Sequence, residues 1–223
     1  GVDNPMLTWP QRSVFGDVLV RVVADTEIIY LNDTDQYDAL GATAHDGRYG
    51  LALPGGTLLV IRAGADRRNQ RDVRYTIALD EDGNATITYE RRFHGTSYGR
   101  FHQRFAELQP EDRRRAFLEM VAGISQAAVA TTDLTTDYSV YPGLERFSVQ
   151  APRYAVRDGD YLYVSLPDAS SSVPGVVGDT RVNPVFWSSE DRGTTAITLQ
   201  LPPAFTNVQI APATIAWRTP AGG

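Results

Sequence analysis

Apolar and polar residues alternate along the first and last thirds of this chain, and the period changes to a helical one between them. Asp17 to Val23 (DVLVRVV) alternates, and Glu27 to Leu31 (EIIYL) follows a short turn at Ala24 to Thr26, so the two predict a hairpin. Gly41 to Tyr49 reads as a loop, and Thr57 to Arg62 (TLLVIR) reads as a strand after the Pro54-Gly55-Gly56 turn. Residues 63–70 are polar and read as a linker. The clearest signal is Asp72 to Leu79 (DVRYTIAL) followed by Ala85 to Phe93 (ATITYERRF). Both alternate, and Gly83 in the intervening DEDGN supplies the positive φ that a tight hairpin turn uses.

Tyr98, Phe101, Phe105 and Leu108 then recur at helical spacing. Pro110 fits the first turn of a second helix, where Glu111 and Asp112 favour the dipole. Phe117, Val121, Ile124 and Ala128 give that helix an apolar stripe, which predicts helix to about Ala130. Asp133 to Gly143 reads as a loop. Strands are predicted again at Leu144 to Gln150, Tyr161 to Leu166, Thr194 to Leu201 and Asn207 to Trp217. Asp158-Gly159-Asp160 forms a turn, Pro167 to Thr180 is a Ser, Gly and Pro-rich loop, and Pro202-Pro203 is a break. No internal repeat is present. The expected fold is α+β, mainly β, with antiparallel sheets in a sandwich-like arrangement and an inserted helix pair over about residues 97–130.

Composition narrows the chemistry. The 223 residues suffice for one large domain or two small ones, and no apolar run is long enough to span a membrane as a helix. Net charge is −6, which argues against general nucleic-acid binding. All 21 basic residues are arginine, so Schiff-base and P-loop lysines are excluded. There is no cysteine, which removes disulfides, thiolate metal sites and a cysteine nucleophile. The N-terminus lacks the basic-then-apolar pattern of a signal peptide, and Gly1 reads as the remnant of a removed tag on an excised piece.

Candidate sites are few. Asn32 to Asp38 (NDTDQYD) carries Asp33, Asp35 and Asp38, but Tyr37 and Asp38 occupy places where a calcium loop needs an oxygen ligand and a glycine. Asp80 to Asn84 resembles part of such a loop and reads as a hairpin turn. His45, His94 and His102 lack metal-ligand spacing, and no GxSxG accompanies Ser170, Ser171 and Ser172. Neither cofactor nor metal is expected. Arg113 to Arg115 read as a solvated helix face. Tyr138, Tyr141, Tyr154, Tyr161, Tyr163, Trp187 and Trp217 are available for stacking on a sugar. Acid pairs of a carboxylate-dependent hydrolase are not visible in sequence.

FGDVLVRV (Phe15 to Val22), a turn, and IIYLNDTDQY (Ile28 to Tyr37) together resemble the end of a transglutaminase-like core. In that superfamily an F-x-H strand carries the catalytic histidine, and a W-L-D-P-T-like segment carries the aspartate. HDGRYGLAL (His45 to Leu53), RYTIALDEDGNATITYERRFHG (Arg74 to Gly95), the helix pair, RVNPVFW (Arg181 to Trp187) and LQLPPAFTNVQIAP (Leu199 to Pro212) resemble the β-rich module that follows such cores in certain bacterial proteins. Two parts are thereby expected, 1–66 as the end of the core and 67–223 as a β-rich domain with the helical insert. The resemblance places Asp17 at the histidine and Asn32 at the aspartate, with Asp33 or Asp35 as the acid if the register shifts. With no thiol to activate, the chain alone is expected to be non-catalytic, a pseudoenzyme or module of structure and interaction. The resemblance also implies an upstream core as partner, a protein or glycan contact, and a periplasmic or extracellular place.

Overall fold

In the computed structural model of the chain, residues 15–25, 27–31, 36–53, 55–168, 192–214 and 216 are described. The chain is α+β and mainly β, as the alternation predicts. β1 (Val20–Ala24) and β2 (Glu27–Leu31) form a two-stranded antiparallel sheet. β3 (Tyr49–Ala52) and β4 (Thr57–Val60) form a second one. The four residues of β3 straddle the end of the stretch read as a loop, because they find a partner only across the Gly55-Gly56 turn.

The central sheet follows. β5 (Gln70–Leu79) and β6 (Ala85–Phe93) pair antiparallel, with Asp72 opposite Arg92 and Leu79 opposite Ala85. Two helices follow, α1 (Thr96–Glu107) and α2 (Pro110–Ile124). The chain returns through β7 (Val129–Ala130) and β8 (Thr135–Asp137), which both pair with β9 (Gly143–Ala151), the neighbour of β6. A hairpin of β10 (Val156–Asp158) and β11 (Tyr161–Tyr163) stands apart from this sheet. β12 (Arg192–Gln200) completes it by pairing with β5 in parallel.

One face of this sheet is the core. Val73, Tyr75, Ile77 and Leu79 on β5 align with Ala85 and Ile87 on β6 and with Phe147, Val149 and Ala151 on β9, all buried. Their neighbours in sequence point the other way and form a polar face. There Thr88 and Ser148 share a hydrogen bond of 2.9 Å, and Gln150 donates to Thr86 at 2.9 Å. Strict period-two alternation requires this division. The helix α2 covers the apolar face with Phe117, Met120, Val121 and Ile124, and the Phe117 ring meets Phe147 edge-on at 5.5 Å. Phe101 of α1 stacks on Phe93 at 4.1 Å in a second cluster with Tyr98 and Phe105. Gly143 is required there, because a Cβ on it would lie 2.7 Å from the Phe101 ring.

Several boundaries differ from the sequence reading. The second helix stops at Ile124, not near Ala130. Val129 and Ala130 instead pair with Gln150 and Val149, so an open strand edge overrides the helical stripe. The loop at 133–143 contains β8. The Asp158-Gly159-Asp160 turn closes β10 onto β11, so β11 is not a neighbour of β9, and the strand ends at Tyr163. Residues 207–214 of the predicted last strand carry no strand pairing, and Val208 and Ile210 are 66% and 91% exposed. Alternation alone does not make a strand. The loop at 167–180 lies outside the described residues from 169 onward.

The Asp80 turn is a local device. Its carboxylate accepts the backbone N–H groups of Asp82 (3.0 Å) and Asn84 (2.8 Å) and the Asn84 side-chain amide (2.8 Å). These bonds favour the ionised form and hold the Asp80 pKa below its ordinary value. The unfolded chain therefore binds this proton at higher pH than the folded chain does. The stabilisation is complete above the ordinary carboxylate range and is lost as pH falls through the lowered pKa. Asp80→Ala is expected to weaken the hairpin at neutral pH. Urea unfolding of the two proteins at pH 7 and in acid checks this, with the gap closing in acid.

Candidate functional site

An open depression of about 440 Å³ is lined by Asp66, Arg67, Gln70, His94, Tyr141 and Pro142. The β5–β6 register builds it. Asp72 lies opposite Arg92, so His94, two residues beyond Arg92, returns to the same sheet face as Asp72. His94 Nε2 is 3.3 Å from Asp72 Oδ2, within ion-pair range. That nitrogen is buried and makes no aligned hydrogen bond. Gln70 donates its amide to the other carboxylate oxygen of Asp72 at 2.9 Å.

The wall opposite is set by α1. Asn69 accepts both the backbone N–H and the hydroxyl of Thr96 at 2.9 Å each, which caps the helix from outside its own sequence. Gly95, at φ 57°, makes the close turn; a Cβ there would stand 2.6 Å from Asn69 Oδ1. Tyr141 accepts the Gly95 N–H at 3.0 Å and donates its own hydroxyl to the Asp66 carbonyl. Arg67 lies over the Tyr141 ring at 4.2 Å, and His94 meets that ring edge-on at 6.0 Å.

Chemically this is an imidazole beside an acid, with a cation nearby and no nucleophile. The two hydroxyls nearest in sequence point elsewhere: Thr96 donates to Asn69 at 2.9 Å and Ser97 to the His94 carbonyl at 3.0 Å. The depression can hold a small polar ligand. It lacks the hydroxyl or thiol that an acyl-transfer triad would place against the histidine.

Beneath the sheet lies the other unusual ionisable group. Glu145, 5% exposed, sits opposite Arg91 on the apolar face. Burial raises its pKa above the ordinary value, against the pull of Arg91, Arg104 and the Tyr89 hydroxyl. Burial likewise pushes the Tyr89 phenol up to about 12. At Glu145 the folded state binds the proton more tightly than the unfolded one. This contribution to stability is therefore present at low pH and lost as pH rises through the raised pKa. Glu145→Gln is expected to raise the unfolding free energy at neutral pH and to flatten that fall. Chemical denaturation from pH 4 to 7 measures both.

The residues singled out by sequence fall elsewhere. Asp17 has a side chain 69% exposed, and its carboxylate is 3.7 Å from His45 Nε2. Asn32, Asp33 and Asp35 lie outside the described residues, as do Ser170, Ser171, Ser172, Trp187 and Trp217. His45, His94 and His102 take separate partners; His102 Nδ1 is 3.2 Å from the Tyr37 carbonyl, and its ring stacks on Tyr138 at 4.9 Å. Among the described residues no three His, Asp or Glu side chains gather as a metal site. None of the described helices is long and apolar enough to cross a membrane. Arg113 is more than a solvated cation, since it donates to Thr136 at 2.6 Å and lies 5.3 Å from the Phe105 ring. The Asp72–His94 pair was open to sequence reasoning, because a tight DEDGN turn already sets the register that brings them together.

No family profile, curated protein or solved structure matches the chain. The transglutaminase-like resemblance thus has no counterpart among known proteins compared with it.

Proposed function

We propose that this chain is a non-catalytic, β-rich interaction module that docks on a neighbouring folded domain through its N-terminal hairpins. One observation carries the reading: every residue of β1 is exposed, including Val20 at 58% and Val23 at 62%. Val18, Ile28, Leu31, Tyr49, Leu51 and Val60, on or beside these hairpins, are also exposed. An isolated two-stranded ribbon is marginal in water, and exposed apolar side chains on it gain from cover by a partner. The fitting occupant is a protein domain that lays an apolar face over these ribbons. In the transglutaminase-like reading this is the adjoining core of the same polypeptide. The absence of cysteine and the lack of a nucleophile beside His94 support a non-catalytic role.

The joint variant Val20→Thr, Val23→Thr keeps strand propensity and removes apolar surface. It is expected to change unfolding free energy by less than about 0.5 kcal/mol per site. Binding of a hydrophobic fluorescent probe should fall, and amides of residues 20–31 should exchange rapidly in the chain by itself. A loss of about 2 kcal/mol or more, in the range of core substitutions, would mean the strand is already covered, and the proposal would fail.

A second reading, carbohydrate binding, rests on Tyr161 and Tyr163. Both are exposed on one face of β11, with ring centroids 6.5 Å apart. Soluble oligosaccharides should then perturb tyrosine fluorescence, and Tyr161→Ala with Tyr163→Ala should abolish the change without altering Tm. No response across neutral and acidic glycans discards this reading.

A further inference from the structure

The two edges of the central sheet are treated differently. The far edge consists of β7 and β8, two and three residues long, interrupted by a loop. Short, broken edge strands are a known protection against strand addition. The near edge is β12, nine residues long and, among the described residues, paired on one side only, with β5. From Gly193 to Gln200 (GTTAITLQ) it has no charge and no proline. Gly193, Thr194, Thr195, Ala196, Thr198 and Gln200 are all exposed. Over these eight residues its register with β5 runs without a bulge.

We propose that β12 is a self-association edge, at which two copies of this chain pair antiparallel about a two-fold axis at Ala196 and join their sheets. The sequence of the strand fits itself in this register. Thr194 falls opposite Thr198 on the polar face. Thr195 falls opposite Ile197, and Gly193 opposite Leu199, on the core face. The faces are consistent with β5, where Ala196 aligns with Arg74 and Ile197 with Tyr75. Threonine pairs across strands are favourable, and half-buried Ile197 and Leu199 gain cover from the second copy. Over 193–199 no charged residue meets a like charge. The strand's own uncharged residues match one another in this register, so a second copy fits it. An isologous contact of this kind closes as a dimer.

The lack of native cysteine makes the test clean. Directly opposed Cα atoms in an antiparallel pair stand about 4.5–5.5 Å apart, within disulfide range. Ala196→Cys should therefore form a cross-linked dimer under mild oxidation. Thr198→Cys alone should not, whereas mixing Thr194→Cys and Thr198→Cys proteins should. Light scattering should report a dimer that Ala196→Lys weakens roughly tenfold or more by opposing two ammonium groups, with Tm of the monomer unchanged. The proposal is overturned by a wild-type monomer at every concentration measured. It is also overturned if Thr198→Cys cross-links as readily as Ala196→Cys, or if a dimer persists unweakened in Ala196→Lys. Failure here leaves the N-terminal docking reading intact, because that reading depends on β1 to β4.

Discussion

Phe147→Ala is expected to lower the unfolding free energy by about 3–5 kcal/mol, the range for removing a buried phenylalanine. Phe147 is 2% exposed and sits in β9, the strand that β6, β7 and β8 all pair with. Its ring lies 5.0 Å from Tyr89 on the sheet and 5.5 Å from Phe117 on α2. Truncation empties the space between the sheet and the helix layer, and rings held on a paired strand cannot collapse fully into it. Urea unfolding should show a lower midpoint with an unchanged slope. Phe147→Leu, which refills part of the volume, should cost clearly less. An alanine variant no more costly than an exposed substitution would show that the helix pair does not cover this face.

Gly83→Val is expected to cost about 3 kcal/mol, from two sources that can be separated. Gly83 has φ 83°, a conformation that a β-branched residue adopts only with strain of about 1–3 kcal/mol. A Cβ at this position would also overlap the Ala155 carbonyl oxygen. That contact is backbone against backbone, because Ala155 N–H donates to the Gly83 carbonyl at 2.9 Å. The turn between β5 and β6 is thus docked on the segment leading to β10. Asparagine tolerates positive φ but still carries a Cβ. Gly83→Asn should therefore relieve the conformational part and keep the loss due to contact. If Asn is as stable as Gly in thermal and urea unfolding, the close approach to Ala155 is not real.

The β5–β6 hairpin and the core of both helices were legible because their signals are local. Alternation, a glycine where φ must be positive, and Phe101, Phe105, Phe117 and Val121 at helical spacing need no knowledge of the rest of the fold. The end of α2 was not legible, since Val129 and Ala130 are claimed by β9, a strand later in the chain. The predicted strand at 207–217 failed in its described part, where Val208 and Ile210 stay exposed and no strand pairing forms. The site was half legible. Asp72 and His94 follow from the hairpin register, but Tyr141 comes from the segment before β9 and meets Arg67 and Asn69 only through packing around the start of α1. Asp17 meets His45, a pairing that the transglutaminase-like resemblance did not anticipate.

By itself the sequence determined the mixed, mainly β class, the central hairpin, the helix pair, and the loss of thiol and lysine chemistry. Each depends on residue identity or on near neighbours along the chain. Tertiary structure alone decided that β12 lies parallel to β5, that β10 and β11 leave the main sheet, and that β1 is bare. It also decided that Glu145 is buried opposite Arg91. These are questions of which distant surface meets which, and a strand's alternation fixes the side that seeks cover without naming what covers it.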